Sequence, residues 1–159
     1  MSKFLTKIEY TILAFSLAVM CTVTFVNVIS RYFLTTSLAY TEELTINLFV
    51  LLTFVGAAVA IHQKGHLGFS LLYDSIQRKG KLFLAILSGL ISTFVFGILA
   101  YFGVEMIMFQ KQLNQITPAL GWPQWIFSLG LPIGSIICLI RVIQVTSLEV
   151  KILLNGREG

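Results

Sequence analysis

The chain has 159 residues, 57% of them hydrophobic and 11% charged, with a formal net charge of +4. A water-soluble domain carries about 25% charged residues to wet its surface, so composition excludes a soluble enzyme. The positive balance does not point to nucleic acid, because the basic residues stand at the ends of apolar runs, where they orient a chain in a bilayer.

Four stretches lack any formal charge: 21 residues between Glu9 and Arg31, 20 between Glu43 and Lys64, 23 between Lys81 and Glu105, and 29 between Lys111 and Arg141. A hydrocarbon core of roughly 30 Å takes about 20 helical residues. The expected fold is therefore an all-α integral membrane protein, a single four-helix domain over 1–159 with spans at about 10–29, 44–61, 82–109 and 125–143. The first apolar run is too long for a cleaved secretory signal and lacks a small-residue cleavage site, which reads as a retained signal anchor. Cys21 and Cys138 fall inside spans and act there as small apolar residues.

Nine basic residues (Lys3, Lys7, Lys64, Arg78, Lys79, Lys81, Arg141, Lys151 and Arg157) fall on one side of this arrangement, against Arg31 and Lys111 on the other. The positive-inside rule then places both termini in the cytoplasm and the first and third loops outside.

Thr24, Asn27 and Arg31 share a face at the outer end of span one, being spaced i, i+3 and i+7. Arg31 stands on the wrong side for the positive-inside rule, close in sequence to Glu42 and Glu43. The two acids admit three readings: helix-start chemistry with Thr41 as cap, an ion pair with Arg31, or an ion or substrate role. Span two contains Gly56, Ala57, Ala58 and Ala60, a seam for close helix approach.

In the central loop, His62 and His66 are four residues apart, but no further ligand type clusters with them, so hydrogen bonding is favoured over a metal. Phe69, Leu72, Tyr73 and Ile76 form an apolar stripe ahead of Arg78, Lys79 and Lys81, the pattern of a short amphipathic helix on the inner leaflet. Span three stays helix-compatible to about Leu113 and must tilt or project. Glu105 near its outer end reads as an interfacial anchor or a coupling carboxylate. The loop that follows is stiffened by Pro118 and Pro123. Trp122 and Trp125 suit the headgroup belt or a docking partner. Pro132 predicts a kink in span four, whose helix continues to Asn155-Gly156 along the inner surface.

No acidic or basic residue lies at the middle of any span, and no pair of broken helices recurs, so the usual signs of a midplane transport site are missing. Cofactors are not expected. The residues alone describe an accessory or scaffold subunit for a larger partner.

The stretches NVISRYFLTTSLAYTEEL, GAAVAIHQKGHLG and TPALGWPQWIFSLGLPIGS resemble the small membrane subunit of tripartite ATP-independent periplasmic (TRAP) transporters, from about Asn27 to Arg141. Its specific parts are Asn27 with Arg31-Tyr32, Glu42-Glu43, Gly56, His66, Pro118, Trp125, and Pro132 with Gly134. Tyr40 stands where family members often carry Trp, and Ser70 where they often carry Asp.

The resemblance implies a sodium-coupled importer of an organic anion of the sialic acid or C4-dicarboxylate class, located in the bacterial inner membrane. It implies two protein partners, a large membrane subunit that moves substrate and a periplasmic substrate-binding protein. This chain would be the scaffold of the one and a docking surface for the other. Asn27, Arg31, Tyr40, Glu42, Glu43 and His66 would serve the subunit interface, and Glu105, Trp122 and Trp125 the outer face. The rival readings are a respiratory membrane anchor, for which the histidines are misplaced, a small self-assembling transporter, which would want a carboxylate deep in span one, and a purely structural or signalling four-span protein, which composition leaves open.

Overall fold

A computed structural model describes residues 3–33, 35, 38–63 and 78–155. In lipid every backbone N–H and C=O must find a partner within the chain, which leaves long apolar segments only the helix or the closed barrel. The described residues take the helix. In chain order they form α1 (Lys3–Phe33), α2 (Ala39–His62), α3 (Arg78–Gln112), the single turn α4 (Gln124–Ser128) and α5 (Gly130–Asn155). Four helical segments are long and apolar enough to cross a membrane: Thr6–Phe33, Ala39–His62, Gly80–Gln112 and Gln124–Leu154. Each runs beyond the bounds expected from charge spacing, because end residues such as Thr6 and Leu154 keep helical hydrogen bonding past the charge-free core. The predicted amphipathic helix over 69–76, together with His66, lies outside the described residues. Arg78 and Lys79 begin α3.

The helices pack in the order α1, α2, α5, α3, with α5 seated between α2 and α3. Small residues set these approaches. Gly56 of α2 faces Leu13 of α1, and Gly130 and Gly134 of α5 face Leu51 and Phe54 of α2. On the other side, Gly89, Gly97 and Gly103 of α3 face Thr146, Leu139 and Leu131 of α5. Dispersion and close packing replace the hydrophobic drive between helices in lipid, so the buried core is thin: Val55, Ala58, Val59, Ala85, Cys138, Val142 and Val145. The outer surfaces of α1 and α3 are apolar and open.

Pro132 has no N–H for the Ser128 carbonyl. The backbone stays helical through Leu129 (φ −58°, ψ −24°), whose carbonyl accepts the Ile133 amide at 3.2 Å in the ordinary i→i−4 pattern, so the missing bond is confined to Pro132. At 1.5 Å per residue, the 35 residues of α3 span on the order of 50 Å, longer than a hydrocarbon core. Its end is a Schellman-type cap. Asn114 takes a left-handed φ of 48°, its amide donates to the Lys111 carbonyl, and the Gln115 amide reaches back to the Gln110 carbonyl.

Candidate functional site

The polar groups gather at two opposite ends of the bundle. One, the hairpin end, holds the α1–α2 connection and the segment between α3 and α4. There the chain folds back tightly. The Gln124 amide donates to the Gln115 carbonyl at 2.9 Å and the Thr117 amide to the Trp122 carbonyl at 2.7 Å. The buried Thr117 hydroxyl accepts the Trp122 amide. Gly121 supplies the positive φ of 65° that closes the turn, a conformation a side chain would strain.

Glu43 reaches this hairpin from the first turns of α2. Its two carboxylate oxygens accept the Ala119 amide at 2.7 Å and the Leu120 amide at 3.2 Å. The carboxylate thus clamps the hairpin to α2, using the charge-assisted geometry that makes such bonds strong. Replacing Glu43 by alanine is expected to speed hydrogen exchange at Ala119 and Leu120 by roughly tenfold, the loss of a hydrogen bond to a charged group. Unchanged exchange at both amides would refute the clamp.

Asn27 ties the first two helices together at the same end, its Oδ1 accepting the Leu38 amide at 3.0 Å. Arg31 stands exposed in the last turn of α1, where a cation suits the negative end of the helix dipole. Among the described residues it makes no ion pair with Glu42 or Glu43, because the Glu43 carboxylate is already engaged by the hairpin. Thr41 is not the cap of α2. It lies inside the first turn behind Leu38, and its hydroxyl donates to the Leu38 carbonyl. Glu42 is exposed in that first turn, and Tyr40 is exposed beside it. Glu105 is exposed on α3, while the Lys111 ammonium sits 5.7 Å from the Trp125 ring centre. Trp122 is exposed.

The other end, which carries the described ends of α1 and α5, contains a group that spacing did not single out. Arg141 and Glu9 are both fully buried. Arg141 Nε donates to Glu9 Oε1 at 2.7 Å and Nη2 to Glu9 Oε2 at 2.5 Å. The same guanidinium reaches Thr6 Oγ1 at 3.1 Å and Gln144 Oε1 at 3.4 Å. Arg141 had counted only toward orientation, and Glu9 only as a boundary residue. Nearby, the Gln63 side-chain amide donates to the Tyr10 hydroxyl, joining α2 to α1. The His62 Nδ1 is buried without a hydrogen-bond partner. No group of three or more potential metal ligands occurs among the described residues.

The molecule therefore ties its helices together at the hairpin end and through the buried Glu9–Arg141 pair. Over residues 20–151 the sequence matches the family described as tripartite ATP-independent periplasmic transporters, DctQ component. The chain belongs to this family.

It is similar to the ectoine TRAP transporter small permease protein TeaB of Halomonas elongata, 33% identical over 133 residues, covering 84% of this chain and 69% of that protein. A Haemophilus influenzae protein assigned as a TRAP transporter small permease is 30% identical over 83% of this chain and 80% of its own length. The C4-dicarboxylate TRAP transporter small permease protein DctQ of Rhodobacter capsulatus is 28% identical over 69% of this chain and 48% of its own length. The chain is thus a small TRAP permease subunit, a multi-pass protein of the inner membrane whose relatives are transporter components. Small permeases of this family work with a large membrane subunit and a binding protein.

Proposed function

We propose that this subunit is the fixed scaffold of a sodium-coupled importer. In this reading it holds the large membrane subunit in the bilayer and offers its hairpin end to the periplasmic binding protein. The observation that carries the reading is the distribution of polarity. Among the described residues, the buried ion pair is consumed internally by Glu9 and Arg141, and Glu43 is consumed by the hairpin. A carrier needs polar groups free to meet its cargo near the midplane, whereas a scaffold needs rigid ends and an apolar flank.

Both termini lie in the cytoplasm. The nine basic residues on that side, against Arg31 and Lys111, support this orientation. The hairpin then faces the periplasm, where Trp122 and Trp125 suit either the headgroup belt or the binding protein. Asn27, Arg31, Tyr40, Glu42, Glu43 and His66 serve subunit assembly in this reading, and Glu105 anchors α3 at the outer interface. The cargo is a small organic solute carrying a carboxylate. The ectoine and C4-dicarboxylate relatives support that class, and sialic acid belongs to the same chemistry.

Deleting the chain from its native cells is expected to reduce uptake of one solute from a panel of ectoine, C4-dicarboxylates and sialic acid to background. Uptake should return when the chain is supplied again and should fall when sodium is replaced by potassium. Undiminished uptake of every panel member after deletion would refute the reading. Sodium-independent uptake would remove the coupling ion from it.

A further inference from the structure

We propose that the chain lies tilted in the bilayer by roughly 35° within the plane of its helix row, α3 being displaced toward the hairpin side and α1 away from it. How the chain meets lipid is independent of the scaffold reading.

Contacts between neighbours fix the level of each helix against the next. Leu51 and Phe54 of α2 face Gly130 and Gly134 of α5, and Gly89, Gly97 and Gly103 of α3 face Thr146, Leu139 and Leu131 of α5. Between α1 and α2, Leu13 faces Gly56 and the Asn27 side chain accepts the Leu38 amide. The charge-free stretches do not share a level. Those of α1, α2 and α3 centre on Met20, on Thr53 and Phe54, and on Thr93. Phe54 meets α5 at Gly134, whereas Thr93, midway between Gly89 and Gly97, is level with Val142, eight residues further from the hairpin. Met20, midway between Leu13 and Asn27, is level with Asn47, six residues nearer the hairpin than Thr53. Across the row the centres slide in one direction, by about 20 Å at 1.5 Å per residue, over three helix spacings of about 9 Å each.

Lipid decides between an upright row and a tilted one. Upright, the exposed Glu105, two residues past Gly103, would stand close to the level of Leu51, well inside the charge-free stretch of α2. A charged side chain open to hydrocarbon is costly. Phe83, exposed near the other end of α3, would lie beyond the end of α2 and outside the hydrocarbon. A tilt of roughly 35° brings the three centres to one depth and removes both costs, and membrane helices commonly adopt such angles. The tyrosines agree. Tyr10 and Tyr101, both exposed, lie just inside Glu9 and Glu105, at the rims of their own stretches, where amphipathic rings settle. Upright, Tyr101 would instead be level with Gly134 and hence with the centre of α2. For the docking role proposed above, the tilt lifts the last turns of α3, Met106 to Gln112, about 9 Å clear of the hydrocarbon, while Arg31 stays at the headgroups.

The test uses the full chain in phospholipid bilayers. A nitroxide reports its depth through its relative accessibility to oxygen and to a water-soluble nickel chelate. It is attached to the native Cys21, which is exposed, or, in a Cys21→Ser background, to a cysteine replacing Ile8, Phe94 or Met106, all exposed. Ile8 and Phe94 are level along the helix axes, next to Glu9 and opposite Val142, and so are Cys21 and Met106. In an upright row the two members of each pair share a depth. In the tilted row they differ by about 15 Å, the depth that three helix spacings cover at that angle. Phe94 and Cys21 are then expected at the bilayer centre, and Ile8 and Met106 at opposite headgroup regions. Equal depths within both pairs would overturn the proposal, as would Ile8 lying nearer the centre than Phe94. Polarised infrared absorption of the unsubstituted chain in oriented bilayers gives a second reading: a mean helix tilt near 35° is expected, and one below about 15° would overturn the proposal too.

Discussion

Replacing Arg141 by methionine is expected to destabilise the bundle by about 3–5 kcal/mol, seen as a lower midpoint of thermal unfolding in mild detergent. The size comes from what is left behind. Glu9 is fully buried, its two oxygens are both satisfied by the guanidinium, and without Arg141 it holds a carboxylate in an apolar site. A buried charge left without a partner is costly and pushes its helix away from the neighbours. Thr6 and Gln144 lose a partner as well. The ion pair need not itself be a net source of stability, since desolvation offsets much of the attraction. The double variant Glu9→Met, Arg141→Met should therefore recover most of the loss. Should it prove as unstable as Arg141→Met alone, the two groups do not act through each other, and the account of the pair is wrong.

That pair also marks where sequence reasoning stops. The four spans were legible because lipid imposes a one-dimensional rule: about 20 residues without charge make a crossing, and the charges between crossings stand out. The family was legible because Asn27, Arg31, Glu42, Glu43, Pro132 and Gly134 fall in order around those spans. Pairing is a three-dimensional matter. Arg31 and Glu43 are close in sequence and invite a bond, yet Glu43 turns to the backbone amides of Ala119 and Leu120, 76 and 77 residues away. Glu9 and Arg141 are separated by 132 residues and meet with full burial. A clue existed: Arg141 is flanked in sequence by Leu139, Ile140, Val142 and Ile143. An arginine so flanked needs a carboxylate at its own depth. Thr41 misled for a local reason. Its type favours a cap, but the helix begins two residues earlier, at Ala39, so the hydroxyl bonds backward inside the first turn.

Gly134→Ala is the second substitution with a large expected effect, about 1–3 kcal/mol against the bundle from overpacking, although alanine ordinarily favours a helix over glycine by about 1 kcal/mol. A Cβ on Gly134 would collide with the Phe54 Cβ and stand 3.0 Å from its Cγ. Those atoms lie at the root of the side chain and cannot swing aside, so α2 and α5 must separate. Gly130 is one turn away on the same seam, but its added Cβ meets Leu51 at 3.5 Å, an ordinary contact. Gly130→Ala is therefore expected to be neutral or stabilising, which controls for helix propensity. The comparison is read by thermal unfolding of the two variants in one detergent. Equal midpoints would mean that Phe54 yields freely and that the seam is not tight. The consequence of separation reaches further along α5. Cys138, whose Sγ donates to the Phe54 carbonyl at 3.0 Å, lies four residues beyond Gly134, and Arg141 lies seven beyond, on the same side. Forcing the helices apart at Gly134 should thus loosen the thiol contact first and the Glu9–Arg141 pair next. For that reason Gly134→Ala and Arg141→Met are expected to be less than additive when combined.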